Sequence, residues 1–139
     1  MSINFYTEEI SGLHLSRAGL RAWIKAVIGE ERKKTGDISF IFCSDEYLLR
    51  INQQYLEHDY YTDIITFDDV SGDLISGDIF ISVDRVRENA EVYGQSFSDE
   101  LHRIIIHGVL HLLGYKDKQP DQKKIMTGKE DYYLSVRTF

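Results

Sequence analysis

The sequence predicts an α+β fold: a small mixed four-stranded sheet packed with about five helices. Three observations carry that prediction. Four short segments are alternately or continuously apolar, as strands are. Five longer ones repeat apolar residues every three or four positions, and the last three helices follow one another with no strand between.

Ile3-Asn4-Phe5-Tyr6 alternates in the manner of an edge strand. From Ser16 to Glu31, Leu20, Trp23, Ile24, Val27 and Ile28 share one helical face, with Ser16 as N-cap, and the stripe is read as core. Lys33-Lys34-Thr35-Gly36 reads as a turn, and Asp37 to Cys43, rich in isoleucine and phenylalanine, as a buried strand. Ser44 or Asp45 caps a second helix reaching Glu57, with Tyr47, Leu48, Ile51 and Tyr55 inward. A polar and aromatic loop leads to a short strand, Ile64 to Phe67. Asp68 to Ser76 is turn-rich, Gly77 to Val83 forms the next strand, and Asp84 opens a helix through Tyr93. The central helix is expected from Ser98 to Leu113, with Ser98 as N-cap and Asp99 and Glu100 at the positive end of its dipole. Pro120, the only proline, suits the first position of a last helix through Leu134.

A chain of 139 residues without linker, repeat or low-complexity tract implies one domain over residues 1–139, able to bury roughly two-thirds of its unfolded surface. No apolar run approaches the roughly 18 residues of a membrane span, and the first residues lack the basic and apolar regions of a signal peptide. A cytoplasmic protein without membrane partners is expected. Cys43, the only cysteine, is read as a buried reduced thiol. The net charge of −7 excludes coating nucleic acid by bulk electrostatics. Local basic surfaces remain available: Arg17, Arg21, Lys25, Arg32, Lys33 and Lys34 form one group, and Lys116, Lys118, Lys123, Lys124 and Lys129 another.

The most informative segment is His107-Gly108-Val109-Leu110-His111-Leu112-Leu113-Gly114-Tyr115-Lys116-Asp117. Residues four apart stand above one another on a helix, so His107 and His111 can direct imidazole nitrogens to a common point. Gly114 supplies the left-handed residue that ends a helix, and Asp117 can then return its carboxylate to the same point. Three protein ligands with one open position describe a catalytic metal site at the end of the central helix. Gly108 inside an apolar helix costs roughly 1 kcal/mol relative to alanine, which argues that a strand or a ligand approaches closely there. The same glycine counts against a metallopeptidase of the H-E-x-x-H type, because it stands where those enzymes carry their glutamate base.

The run His107-Gly108-x-Leu110-His111-Leu112-Leu113-Gly114-Tyr115 resembles the signature of the YbeY family of endoribonucleases. Thr62 to Phe67, Gly77-Asp78-Ile79, Met126 and Glu130 support it in order and spacing. The resemblance implies a metal-dependent hydrolase of single-stranded RNA. It further implies a role in maturing small-subunit rRNA and in ribosome quality control, with zinc as the metal, the small ribosomal subunit as partner, and ribosomal proteins or an assembly GTPase as further candidates. Two positions depart from the family pattern. A third histidine, preceded by aspartate, usually stands where this chain has Lys116-Asp117, and an arginine usually stands at Leu56. Two histidines and a carboxylate are an established catalytic zinc set. The carboxylate cancels one charge of the metal, so the water it polarises is less acidic than in a three-histidine site, and harder ions such as manganese are better tolerated.

Phosphodiester hydrolysis needs cations where negative charge accumulates. Leu56 supplies none, so Arg103, one turn before His107, and Lys116, beside the third ligand, are the candidate replacement phosphate contacts. Asp63 and Asp78 are candidates for a general base or for orienting a ligand histidine. Tyr55, Tyr60, Tyr61 and Tyr115 are candidates for stacking on unpaired bases. The missing arginine also leaves a second reading open, a ribosome-assembly binding factor whose metal is structural.

Overall fold

The computed structural model describes all residues from Met1 to Phe139. Its order is β1 (Ile3–Glu8), α1 (Arg17–Glu30), β2 (Lys34–Cys43), α2 (Asp45–Leu56), β3 (Ile64–Asp68), β4 (Leu74–Ser82), α3 (Val83–Tyr93), α4 (Phe97–Leu112) and α5 (Pro120–Ser135). The strands form one mixed sheet in the order β1-β2-β4-β3. β1 and β4 each run parallel to β2, and β3 closes the other edge antiparallel to β4. The α+β architecture and its element count match the sequence reading.

Alternation along β4 assigns the two sheet faces. Ile75, Gly77, Ile79 and Ile81 are buried on the side that meets α4, whereas Asp78 and Phe80 face the side covered by α2. On the first side the predicted stripe of α1 joins Ile38, Phe40 and Phe42 of β2 and the apolar residues of α4 in one continuous core. α4 is apolar around most of its circumference because the sheet, α1, α3 and α5 all pack against it. The Trp23 indole donates to the Tyr133 carbonyl at 2.9 Å, tying α1 to α5. Cys43 is fully buried on the second side beside Leu48 and Ile65, and burial pushes its thiol up to about 12. No helix is long and apolar enough to cross a membrane.

Boundaries differ where tertiary partners override local signals. Lys34-Thr35-Gly36 is the start of β2 and not a turn, because Lys34 and Thr35 pair with Leu74 and Ile75 across a register shift. Gly36 is needed there: a Cβ would come within 2.8 Å of the Ile75 carbonyl and against the Ser76 hydroxyl. β4 likewise begins at Leu74, three residues before the expected start. The N-cap of α4 is Ser96 rather than Ser98. Its extended backbone and a 3.0 Å bond from the Asp99 N–H to its hydroxyl define the cap. Ser82, not Asp84, caps α3 in the same way. Ser44 caps α2, and Pro120 opens α5, as expected.

His102, on the buried side of α4, lies between Trp23 and Phe139 at ring-centroid distances of 6.0 and 5.0 Å. Its Nδ1 accepts from the Arg137 guanidinium at 2.7 Å. Burial, then the positive charge of Arg137, push its pKa down to about 4. The unfolded chain takes up this proton near pH 6.5 while the folded chain resists it. Stability present above that pH is therefore lost as pH falls toward 4, by up to about 3 kcal/mol at roughly 1.4 kcal/mol per unit. Urea unfolding at pH 7 and pH 4.5 should show a smaller acid loss in His102→Gln than in the parent; equal losses would refute this assignment.

Candidate metal centre

α4 delivers both histidines and ends where Asp117 can turn back toward them. Gly108 lies against the sheet, and a Cβ there would sit 3.0 Å from Ile64 Cδ1 and from Ile79 Cγ2. The close approach inferred from this glycine is therefore to strands β3 and β4. After Leu112 the chain forms a Schellman motif: the Tyr115 N–H donates to the Leu110 carbonyl and the Gly114 N–H to the His111 carbonyl, each at 3.0 Å. Gly114 has φ +104°, in the left-handed region. The Tyr115 hydroxyl donates to Glu31 at 2.6 Å, and Glu31 also accepts from Tyr133 and Lys129. Those bonds pin the reversed chain to α1 and α5, and Asp117 turns back over the end of α4.

The three side chains converge. His107 Nε2 and His111 Nε2 are 3.0 Å apart, and Asp117 Oδ2 lies 3.2 Å from the first and 3.5 Å from the second. Ligand atoms held at 2.0–2.1 Å by one tetrahedral ion stand about 3.3–3.4 Å apart, so this triangle has the size that a zinc-like ion requires. The donor chemistry agrees. His107 Nδ1 donates to Glu130 Oε2 at 2.6 Å, which leaves Nε2 of the neutral ring as an electron-pair donor. Three such atoms turned toward one point form a set that one divalent cation can bind.

Glu130, on α5, is 6 % exposed and orients His107 in the way carboxylates commonly orient metal-binding imidazoles. Burial opposes the charged form of both rings. For His107 the hydrogen bond and charge of Glu130, then Asp117 and Asp63, outweigh burial and raise its pKa, whereas burial and the neighbouring His107 lower that of His111.

A cavity of about 460 Å³ opens over the three side chains. Arg103 lines it, with Nη1 2.8 Å from Glu130 Oε1 and Nη2 2.6 Å from Asp131 Oδ1. Lys116 is exposed, makes no ion pair and is not part of the cavity wall. Asp63 lines the cavity; burial raises its carboxyl against the opposing charge of His107. Asp78 lies elsewhere, exposed on the α2 side of β4 beside Tyr47, Ile51, Tyr55, Phe67 and Phe80. Tyr55, Tyr60 and Tyr61 are exposed, the last two on the loop that leads into Thr62 and Asp63 of the cavity wall. Of the early basic group, Arg21 is structural, donating to the Ile3 carbonyl at 2.8 Å and lying over the Phe5 ring.

Sequence reasoning placed Glu100 only at the helix dipole and missed Asn89 and Tyr93, yet all three line the same cavity. For Glu100 the detectable signal was spacing. Glu100, Arg103, His107 and His111 recur at three- and four-residue intervals, one polar stripe along the helix.

Comparison with known proteins identifies the family. The model of the Endoribonuclease YbeY family matches residues 5–137. Endoribonuclease YbeY of Parabacteroides distasonis is 53 % identical over 136 residues, covering 98 % of this chain and 96 % of that protein. The Cytophaga hutchinsonii protein of the same name is 49 % identical over 140 residues, covering 99 % and 97 %. The solution structure of TM1509 from Thermotoga maritima superposes with a TM-score of 0.65 at 27 % identity, covering 96 % of this chain and 87 % of that one. A cavity built around a histidine pair and a returning carboxylate, on a fold and sequence shared across these proteins, leads to one assignment: the chain belongs to the YbeY family of endoribonucleases, hydrolases of RNA phosphodiester bonds.

Proposed function

We propose that this chain is a zinc-dependent, single-strand-specific endoribonuclease acting in the cytoplasm on small-subunit rRNA, in 3′-end maturation and ribosome quality control. The observation that supports the reading best is the convergence of His107, His111 and Asp117 within 3.5 Å of one another at the floor of an open cavity. A bound zinc ion supplies Lewis acidity and a solvent molecule of lowered pKa.

The chain's own residues divide the remaining work. Glu130 holds His107 with Nε2 turned to the metal position. Asp63, the cavity carboxylate on the strand side, accepts the proton released when water attacks the phosphorus. Arg103 places a guanidinium on the cavity wall and Lys116 an unpaired ammonium beside Asp117, so both are proposed phosphate contacts in the absence of an arginine at Leu56. Tyr60 and Tyr61 offer exposed rings at the approach, where unpaired bases can stack and paired ones cannot. Lys118, Lys123 and Lys124 extend an exposed basic surface from the same side for the rRNA backbone. Ribosomal proteins or an assembly GTPase are the proposed protein partners.

The test uses a single-stranded oligoribonucleotide and the same strand in a duplex. Chelation should abolish cleavage of the single strand, zinc should restore it, and the duplex should survive. Cleavage undiminished by chelation would overturn the metal assignment, and equal cleavage of both substrates would overturn the strand preference.

A further inference from the structure

The cavity extends beyond the ligand triad to a carboxylate that nothing in the protein satisfies. Glu100 is 8 % exposed, lines the cavity, and its Oε2 is buried without a hydrogen-bond partner. Burying an acceptor in this state costs folding free energy, and such groups are rare in native proteins unless a ligand completes them. Helix capping does not account for it. The capping bond is made by Ser96 to the Asp99 N–H, and Asp99 is the half-exposed acid that pairs with Arg137. Arg103 does not account for it either, since its hydrogen bonds go to Glu130 and Asp131.

We infer that Glu100 is the base-recognition residue of this site, reading the Watson–Crick edge of a guanine whose phosphate lies at the metal position. The inference rests on the ribonuclease reading for its substrate class. Glu100 precedes His107 by seven residues on one helix, about 10 Å along the axis. That distance suits the span from a backbone phosphate across ribose to the outer edge of its own base.

The walls between the two ends fit a base. Ile104 is a half-buried apolar surface for one of its faces, and Asn89 offers an amide donor for a carbonyl oxygen. A carboxylate has two acceptor oxygens and no donor, so it pairs with adjacent N–H groups. Guanine alone among the four RNA bases presents two neighbouring donors, N1–H and the N2 amino group, on its Watson–Crick edge.

Two measurements with the zinc-loaded protein test this. In the first, binding of guanosine 5′-monophosphate, inosine 5′-monophosphate and adenosine 5′-monophosphate is compared by titration calorimetry. The guanine nucleotide should bind on the order of tenfold more tightly than inosine monophosphate, which lacks the N2 donor, and Glu100→Gln should erase the difference. In the second, single-stranded oligonucleotides with one guanosine or one inosine are cleaved and the products mapped. Cuts should concentrate beside guanosine in the parent and spread over all four bases in Glu100→Gln.

Guanine-selective binding without RNA cleavage would uphold the pocket and sink the nuclease reading. Cleavage with no base preference, and nucleotides bound alike, would do the reverse. Two zinc ions per parent chain and one in Glu100→Gln would overturn the proposal in favour of a cation site. Because inosine alters the ligand and not the protein, its arm holds even where the variant folds poorly.

Discussion

His111→Ala is expected to lose bound zinc and to cleave RNA at least about a thousandfold more slowly, because the Lewis acidity it withdraws is worth several kcal/mol at the transition state. The fold should survive. His111 is half-buried, its ring meets His107 at a centroid distance of 4.6 Å, and it belongs to neither apolar cluster. The melting temperature of the metal-free variant should therefore stay close to that of the metal-free parent. Metal analysis, a cleavage assay and a thermal scan on one preparation separate the outcomes. Full zinc content in the variant would remove His111 from the ligand set, whereas lost zinc with undiminished cleavage would make the metal structural.

Asp63→Asn should retain zinc and cleave about 10²–10⁴-fold more slowly, the usual contribution of a positioned proton acceptor. The substitution keeps the shape of the side chain, and the backbone is held independently, since the Ser82 N–H donates to the Asp63 carbonyl at 2.9 Å. Burial raises the Asp63 pKa. A base must be ionised to act, so the parent rate should fall as pH drops through that raised pKa. The variant, with nothing to protonate there, should lack this limb. An unchanged acid limb with an unchanged rate would assign Asp63 to structure alone.

The parts of the site that lie close together in the chain were legible from local rules. His107 and His111 share a face because of helical periodicity, Gly114 ends the helix because only the left-handed region lets the chain reverse there, and Asp117 returns within three residues. The strands were legible for a similar reason, since an apolar pattern of period two survives whatever packs on it. Their starts were not. Lys34 and Gly36 have weak strand character, and Lys34 and Thr35 became strand because β4 offers a parallel ladder beside the register shift at Gly36.

What the sequence by itself determined, then, is the class of fold, the helix that carries the imidazoles and the turn that brings back the carboxylate, all consequences of interactions over a few residues. Only the tertiary structure decided that Glu130, 23 positions beyond His107, orients that ring, that it and Asp131 hold Arg103, and that Glu100 faces the cavity without a partner. The physical reason is range. Periodicity and capping act within one or two turns, whereas the pairing of buried charges depends on where α3 and α5 dock against α4, which the whole core settles.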